Sequence, residues 1–144
     1  MKKVSFHEAV AQIMREDSRF PPEAYLFVIE SLNFTTRMLS KPASGPKRHV
    51  AGAELLEGIR QFALKEYGPV AMTVLNSWGI HRCDDFGQIV FNMVNKKILG
   101  KTESDSVHDF ENIFDFEAAF KKPFEPEPEP EPEPKKQNIS RDTF

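Results

Sequence analysis

Apolar residues recur at helical spacing along most of the chain, and Gly and Pro cut that pattern into separate segments. In the first, Phe6, Ala9, Val10, Ile13 and Met14 predict an amphipathic helix over 6–16. Ser5 followed by Glu8 is a capping-box pattern: the hydroxyl takes a free first-turn N–H and the carboxylate reaches back. Phe20-Pro21-Pro22 interrupts the chain, and the second proline suits the first position of a new helix. That helix, about 22–39, carries two apolar stripes. Tyr25, Val28, Ile29, Leu32, Thr36 and Leu39 form one; Phe27, Phe34 and Met38 lie nearly opposite. A helix apolar on two sides is sandwiched. Helix 1 is expected to cover the second stripe, the alternative being a homo-oligomer formed through Phe27, Phe34 and Met38.

Residues 40–49 read as a loop, with a small basic cluster of Lys41, Lys47 and Arg48. Helix 3 is predicted over 52–67, with Leu55, Leu56, Ile59, Phe62 and Ala63 on one face. Gly68-Pro69 then ends one helix and starts the next, a short one over 69–78. Gly79 closes it, with Ile80 placed to fold back, and helix 5 follows over 84–97 with Phe86, Ile89, Val90, Met93 and Val94 on one stripe. Beyond Ile98 the period changes. Residues 98–102 read as a short strand, 103–109 as a polar loop, and 110–116 as a second strand with Phe110, Phe114 and Phe116 on alternate positions. A helical hairpin is the alternative for this stretch. Asp115 can cap a last short helix over 116–121.

From Ala53 to Phe116 this order is the outline of a winged helix-turn-helix. The expected fold is therefore mainly α with a small β-hairpin: an N-terminal helical pair packed on a winged helix-turn-helix-like unit. One domain spans 1–124 (helical pair 1–39, loop 40–49, winged-helix-like unit 50–124). Residues 125–144 follow as an extended tail, opening with five Glu-Pro repeats over 125–134. Fixed proline φ and repelling carboxylates make those repeats a polyproline-II rod of roughly 30 Å. The rod holds Lys135 to Phe144 away from the body, either as a solubilising tail or as a docking peptide built on Lys135, Lys136 and Phe144.

At 144 residues with 13 Phe, the chain has enough apolar material for a real core. Its net charge of −3 is unevenly spread. Residues 1–49 carry 8 Lys/Arg against 5 Asp/Glu, and residues 82–117 carry 4 against 8. A strongly basic nucleic-acid domain is excluded by that balance. Cys83 is the single cysteine, so no intramolecular disulfide forms and a reducing cytoplasm is the simplest setting. No signal-peptide-like run and no stretch near the roughly 20 apolar residues of a membrane span is present. The expectation is a soluble cytoplasmic protein, in which the Asn33 and Asn138 triplets carry no glycosylation meaning.

No phosphate loop, nucleophile elbow, HExxH or paired CxxC is found, so no catalytic or cofactor residue is assigned. His81, Cys83 and His108 are the nearest approach to a zinc set, but the first two are two residues apart, which is not zinc-site spacing, and a fourth ligand is lacking. Cys83 at a helix start would feel the helix dipole, countered by Asp84 and Asp85. In the winged-helix reading, base contacts would fall to Arg82, Gln88 and Asn92, with phosphate contacts from Lys96, Lys97 and Lys101. Against this, the wing is acidic: Glu103, Asp105, Asp109 and Glu111 would be repelled by phosphate. Those four carboxylates instead form a candidate surface for a basic protein partner. The preferred function is a non-catalytic protein–protein interaction module; a transcription-type DNA-binding protein is the alternative.

Several runs also resemble an uncharacterised family. They are Leu55-Leu56-Glu57-Gly58-Ile59-Arg60, Tyr67-Gly68-Pro69, Val74-Leu75-Asn76-Ser77-Trp78-Gly79-Ile80 and Asp85-Phe86-Gly87-Gln88-Ile89-Val90-Phe91-Asn92. Lys101-Thr102-Glu103-Ser104-Asp105-Ser106 and Asp109-Phe110 belong with them. The pattern is similar to a conserved hypothetical family restricted to Planctomycetes and Verrucomicrobia, over about residues 1–124. The resemblance implies a bacterial, cytoplasmic protein and carries no assigned activity. In that family a Ser often precedes the Gly before helix 3. Here the position is Ala51, which implies a less well capped helix start.

Overall fold

The helices begin and end where the backbone's free N–H and C=O groups find partners. A computed structural model describes residues 5–42, 50–99, 110 and 113–125. Five α-helices are present among them: α1 (Phe6–Glu16), α2 (Pro22–Met38), α3 (Gly52–Tyr67), α4 (Ala71–Ser77) and α5 (Cys83–Asn95). A 3-10 turn, Gly68–Val70, leads into α4, and a π-helical turn, Glu117–Lys121, runs into a second 3-10 turn, Lys122–Phe124. Both halves of the Ser5 capping box form: Glu8 N–H donates to Ser5 Oγ at 3.1 Å and Ser5 N–H to Glu8 Oε1 at 3.2 Å. At α3 only one half exists. Ala51 N–H donates to Glu54 Oε1 at 2.9 Å, but Ala51 has no side-chain acceptor to return the bond.

Three helices end in the same way. After α4, Ile80 N–H bonds Leu75 O at 3.0 Å and Gly79 N–H bonds Asn76 O at 2.9 Å, with Gly79 at φ 83°. After α2, Lys41 N–H bonds Thr36 O and Ser40 N–H bonds Arg37 O, with Ser40 at φ 55°. After α5, Ile98 N–H bonds Met93 O and Lys97 N–H bonds Val94 O, with Lys97 at φ 62°. Each pair is a Schellman closure, which needs one left-handed residue. Only Gly79 advertises this in the sequence.

The most extensive helix pair is α2 on α3. Its seam is made of small side chains: Ser31 and Thr35 of α2 are fully buried, and Thr35 faces Gly58 of α3. Thr35 Oγ1 is satisfied by its own helix, donating to Ser31 O at 2.7 Å. A Cβ on Gly58 would lie 1.7 Å from Thr35 Oγ1 and 2.7 Å from Thr35 Cβ, so bare backbone is required there.

Beside the seam, Phe27 is an aromatic hub. Its ring centroid lies 5.6 Å from Phe62, 6.0 Å from Tyr67, 5.6 Å from Trp78 and 6.5 Å from Phe86. Phe34 joins at 5.3 Å from Phe62, and the chain of rings continues from Phe86 through Phe116 to Phe120. The second stripe of α2 is therefore covered by α3, α4 and α5, not by α1 as expected. Phe27 is 2% exposed and Phe34 half-buried, which leaves only Met38 of the supposed self-association face open to a second chain. The reason is geometric. Ser31 and Thr35, which lie in neither apolar stripe, are small enough to let α3 come close and Phe62 reach the far stripe.

The expected β-hairpin is a second correction. No strand occurs among the described residues: Ile98 and Leu99 follow the α5 closure, Phe110 lies in a helical turn, and Phe116 starts the last helical segment. Residues 100–109, 111 and 112 of that stretch lie outside the described residues. The alternating Phe positions pack like core residues rather than strand residues. Phe110 sits on bare Gly87 of α5, and Phe116 and Phe120 stack onto Phe86, Phe114 and each other. Asp115 caps that segment as expected, accepting from Ala118 N–H at 3.0 Å.

Two stability changes follow. Gly58→Ala gains about 1 kcal/mol of helix propensity but forces two rigid backbones apart, for an overpacking cost of about 1–3 kcal/mol. Urea unfolding is expected to show net destabilisation, and a double-mutant cycle with Thr35→Gly to show favourable coupling. A neutral Gly58→Ala would mean the seam is looser than described. Ala51→Ser supplies the missing half of the α3 capping box and is expected to stabilise by about 0.5–1 kcal/mol in the same assay.

Candidate functional site

The apolar face of α5 is turned inward, and part of its polar face is engaged by neighbouring elements. Cys83, Phe86, Gly87, Ile89, Val90 and Met93 are buried, and α5 contacts α1, α2 and α3. Asn92 Nδ2 donates to Asp17 Oδ2 at 3.1 Å and to the Tyr25 hydroxyl at 3.2 Å. Gln88 Nε2 donates to Asn92 Oδ1 at 3.3 Å, extending the network along the helix. Lys96 Nζ is paired with Glu16 Oε2 of α1 at 2.8 Å. Of the residues the sequence offered to DNA, Asn92 and Lys96 are engaged in holding α1 to α5, and Gln88 supports Asn92. Lys97 serves in the Schellman closure with its side chain exposed, and Arg82 is exposed at the start of α5. Lys101 lies outside the described residues, as do Lys47 and Arg48.

The polar network has an anchor that the sequence reading missed. Asp17 accepts a two-pronged contact from Arg19, 2.9 Å from Nε and 2.6 Å from Nη2, and Arg19 N–H adds a third bond at 3.1 Å. That guanidinium holds the Asp17 carboxyl well below the usual carboxylate range, with the Asn92 amide helping. Burial pushes the Tyr25 hydroxyl up, so it stays protonated. Asp17-Ser18-Arg19 falls between two predicted helices and carries no recognised motif. The one available signal was an Asp and an Arg two apart, immediately before Phe20.

Cys83 is buried at the start of α5, with Sγ 3.4 Å from Phe114 O as its donor contact, and burial pushes its thiol up. It is poorly suited to act as a nucleophile. His81 is exposed, with Nδ1 3.1 Å from Asn76 Oδ1, and Asp85 accepts from His81 N–H at 2.8 Å. His108 is outside the described residues. Among those described, no group of three or more His, Cys, Asp or Glu is placed to hold a metal ion. The proposed partner surface, Glu103, Asp105, Asp109 and Glu111, also lies outside them.

Among the described residues, an apolar cleft of about 240 Å³ lies between α1 and the start of α2, lined by Phe6, His7, Val10, Ala11, Met14, Pro22 and Leu26 with Glu23 at its edge. Leu26 is 47% exposed there. No described helix is long and apolar enough to cross a membrane. No family model, curated protein or solved structure matches the chain.

The Asp17 network makes a pH prediction. A carboxyl whose folded pKa is depressed adds stability above its unfolded value, about 3.9, and that stability is lost as pH falls toward the folded value. Urea unfolding should show Asp17→Asn less stable than the parent at pH 7. The gap should narrow by pH 3, where the parent is losing the Asp17 contribution. A gap independent of pH would show that charge is not what Asp17 supplies.

Proposed function

We propose that the chain is a non-catalytic protein–protein interaction module of the cytoplasm, built on a helical core and recognising a basic partner. The observation that supports this most is the engagement of Asn92 and Lys96 on the α5 polar face by neighbouring elements. A helix whose Asn92 and Lys96 hold its neighbours has little left with which to read base edges or phosphates. The sequence run 103–111, with Glu103, Asp105, Asp109 and Glu111, carries the wrong sign for DNA and the right sign for a basic protein. We also propose kinship with the Planctomycetes and Verrucomicrobia family, on the motifs between Leu55 and Phe110.

Fluorescence anisotropy with labelled duplex DNA, from about 50 to 200 mM salt, separates this reading from a winged-helix DNA binder. We expect no binding at the lowest salt. Tight binding that weakens with salt would overturn the proposal, and loss of that binding in Arg82→Ala or Lys97→Ala would locate it.

A further inference from the structure

Tyr67 and Trp78 form a half-buried aromatic corner in a setting of negative charge. Tyr67 is the last residue of α3 and Trp78 directly follows α4, so the two rings stand at consecutive helix ends. Their centroids are 6.1 Å apart with the planes at 81°, which makes them two walls meeting edge to face. Phe27 backs both, 6.0 Å from Tyr67 and 5.6 Å from Trp78, and is itself buried. Carboxylates approach from two helices. Glu30 is exposed on α2 three residues beyond Phe27, hence on the same side of that helix. Glu66 is exposed next to Tyr67, at the end of α3 where the helix dipole is negative. Both carboxylates add to burial in raising the pKa of the Tyr67 hydroxyl.

Elsewhere the domain places its own cations over aromatic rings. Arg19 lies 5.2 Å from the centroid of Phe20, and Lys65 lies 5.6 Å from that of Phe34. Lys65 is the cation nearest to Tyr67 in sequence, and it is committed to Phe34. Among the described residues, no cation lies over Tyr67 or Trp78. We propose that this corner receives an arginine side chain of a basic protein partner, with the guanidinium stacked on Trp78 and Tyr67 and donating to Glu30 and Glu66. Arginine fits better than lysine. Its flat face covers a ring while its edge N–H groups reach carboxylates, and it sheds water more readily than an ammonium. The half-buried walls strengthen the contact, because cation–π attraction grows as the cation is desolvated. Such a contact deepens the proposed recognition of a basic partner, on which it rests, and lies outside the run 103–111.

Trp78 is the single tryptophan of the chain, so its fluorescence reports on the corner itself. The full chain is titrated with a dye-labelled tetra-arginine peptide, following Trp78 emission and peptide anisotropy together. A saturable change in Trp78 emission is expected, with tetralysine binding several-fold more weakly and the uncharged isostere tetracitrulline giving no change. Glu30→Gln combined with Glu66→Gln alters two exposed side chains and leaves the run 103–111 intact. It is expected to weaken the Trp78 response about fivefold without moving the urea unfolding midpoint. Peptide binding that leaves Trp78 silent would place the contact elsewhere on the chain and overturn the proposal. An unchanged response in the double variant, or equal binding of tetralysine, would also overturn it. Failure here without DNA binding removes only the arginine site, whereas duplex binding in the anisotropy experiment above removes the interaction-module reading.

Discussion

The close crossing of α2 and α3 sets the rest of the structure. It exists because Gly58 presents no side chain to Thr35, and because Ser31 and Thr35 are small enough to lie flat in the seam. Close approach there brings Phe62 onto Phe34 and Phe27, and Phe27 in turn carries contacts to Tyr67, Trp78 and Phe86. One glycine thereby positions an aromatic cluster that joins four helices. Dispersion among such rings is individually small, but each also buries a large apolar area, and both terms depend on the helices staying at that spacing.

The same packing decides what α5 is free to do. Its apolar face is buried, and on its polar face Asn92 meets Asp17 at the end of α1 and Tyr25 of α2, with Lys96 and Glu16 closing the edge. Asp17 in this position is an ion held by Arg19, so the Asn92 amide donates to a charged acceptor and the Tyr25 hydroxyl completes its bonds. Charge-assisted bonds of this kind contribute more than neutral ones, and they orient α1 as well as hold it. A helix anchored on both faces is a strut. Asn92 and Lys96 are therefore committed to neighbouring elements rather than free for a partner.

Much of this was legible in the sequence, and what was not has identifiable reasons. All five helices, the Ser5 box, the Pro22 start, the Gly68 and Gly79 stops and the Asp115 cap follow from local chemistry, which acts over three or four residues. The partner of Phe27 was misassigned because the seam is built from Ser, Thr and Gly, residues that hydrophobic periodicity passes over. The Phe110–Phe116 alternation suggested a strand because short apolar runs fit both periods. Its rings instead fill space left by Gly87 and beside Phe86. Ser40 and Lys97 occupy left-handed positions without being glycine, so the closures of α2 and α5 carried no glycine signal, although both ends were placed within two residues. The Asp17–Asn92 contact joins residues far apart in sequence, and no local rule finds it.

Native-state amide hydrogen exchange of α1 and α5 tests the central claim, that α5 is a buried strut held by α1. The account predicts that amides near Asn92 and the middle of α1 exchange only by the same global opening that releases α2 and α3. Release of α1 as a separate unit of lower stability would expose Gln88, Asn92 and Lys96, and would contradict it.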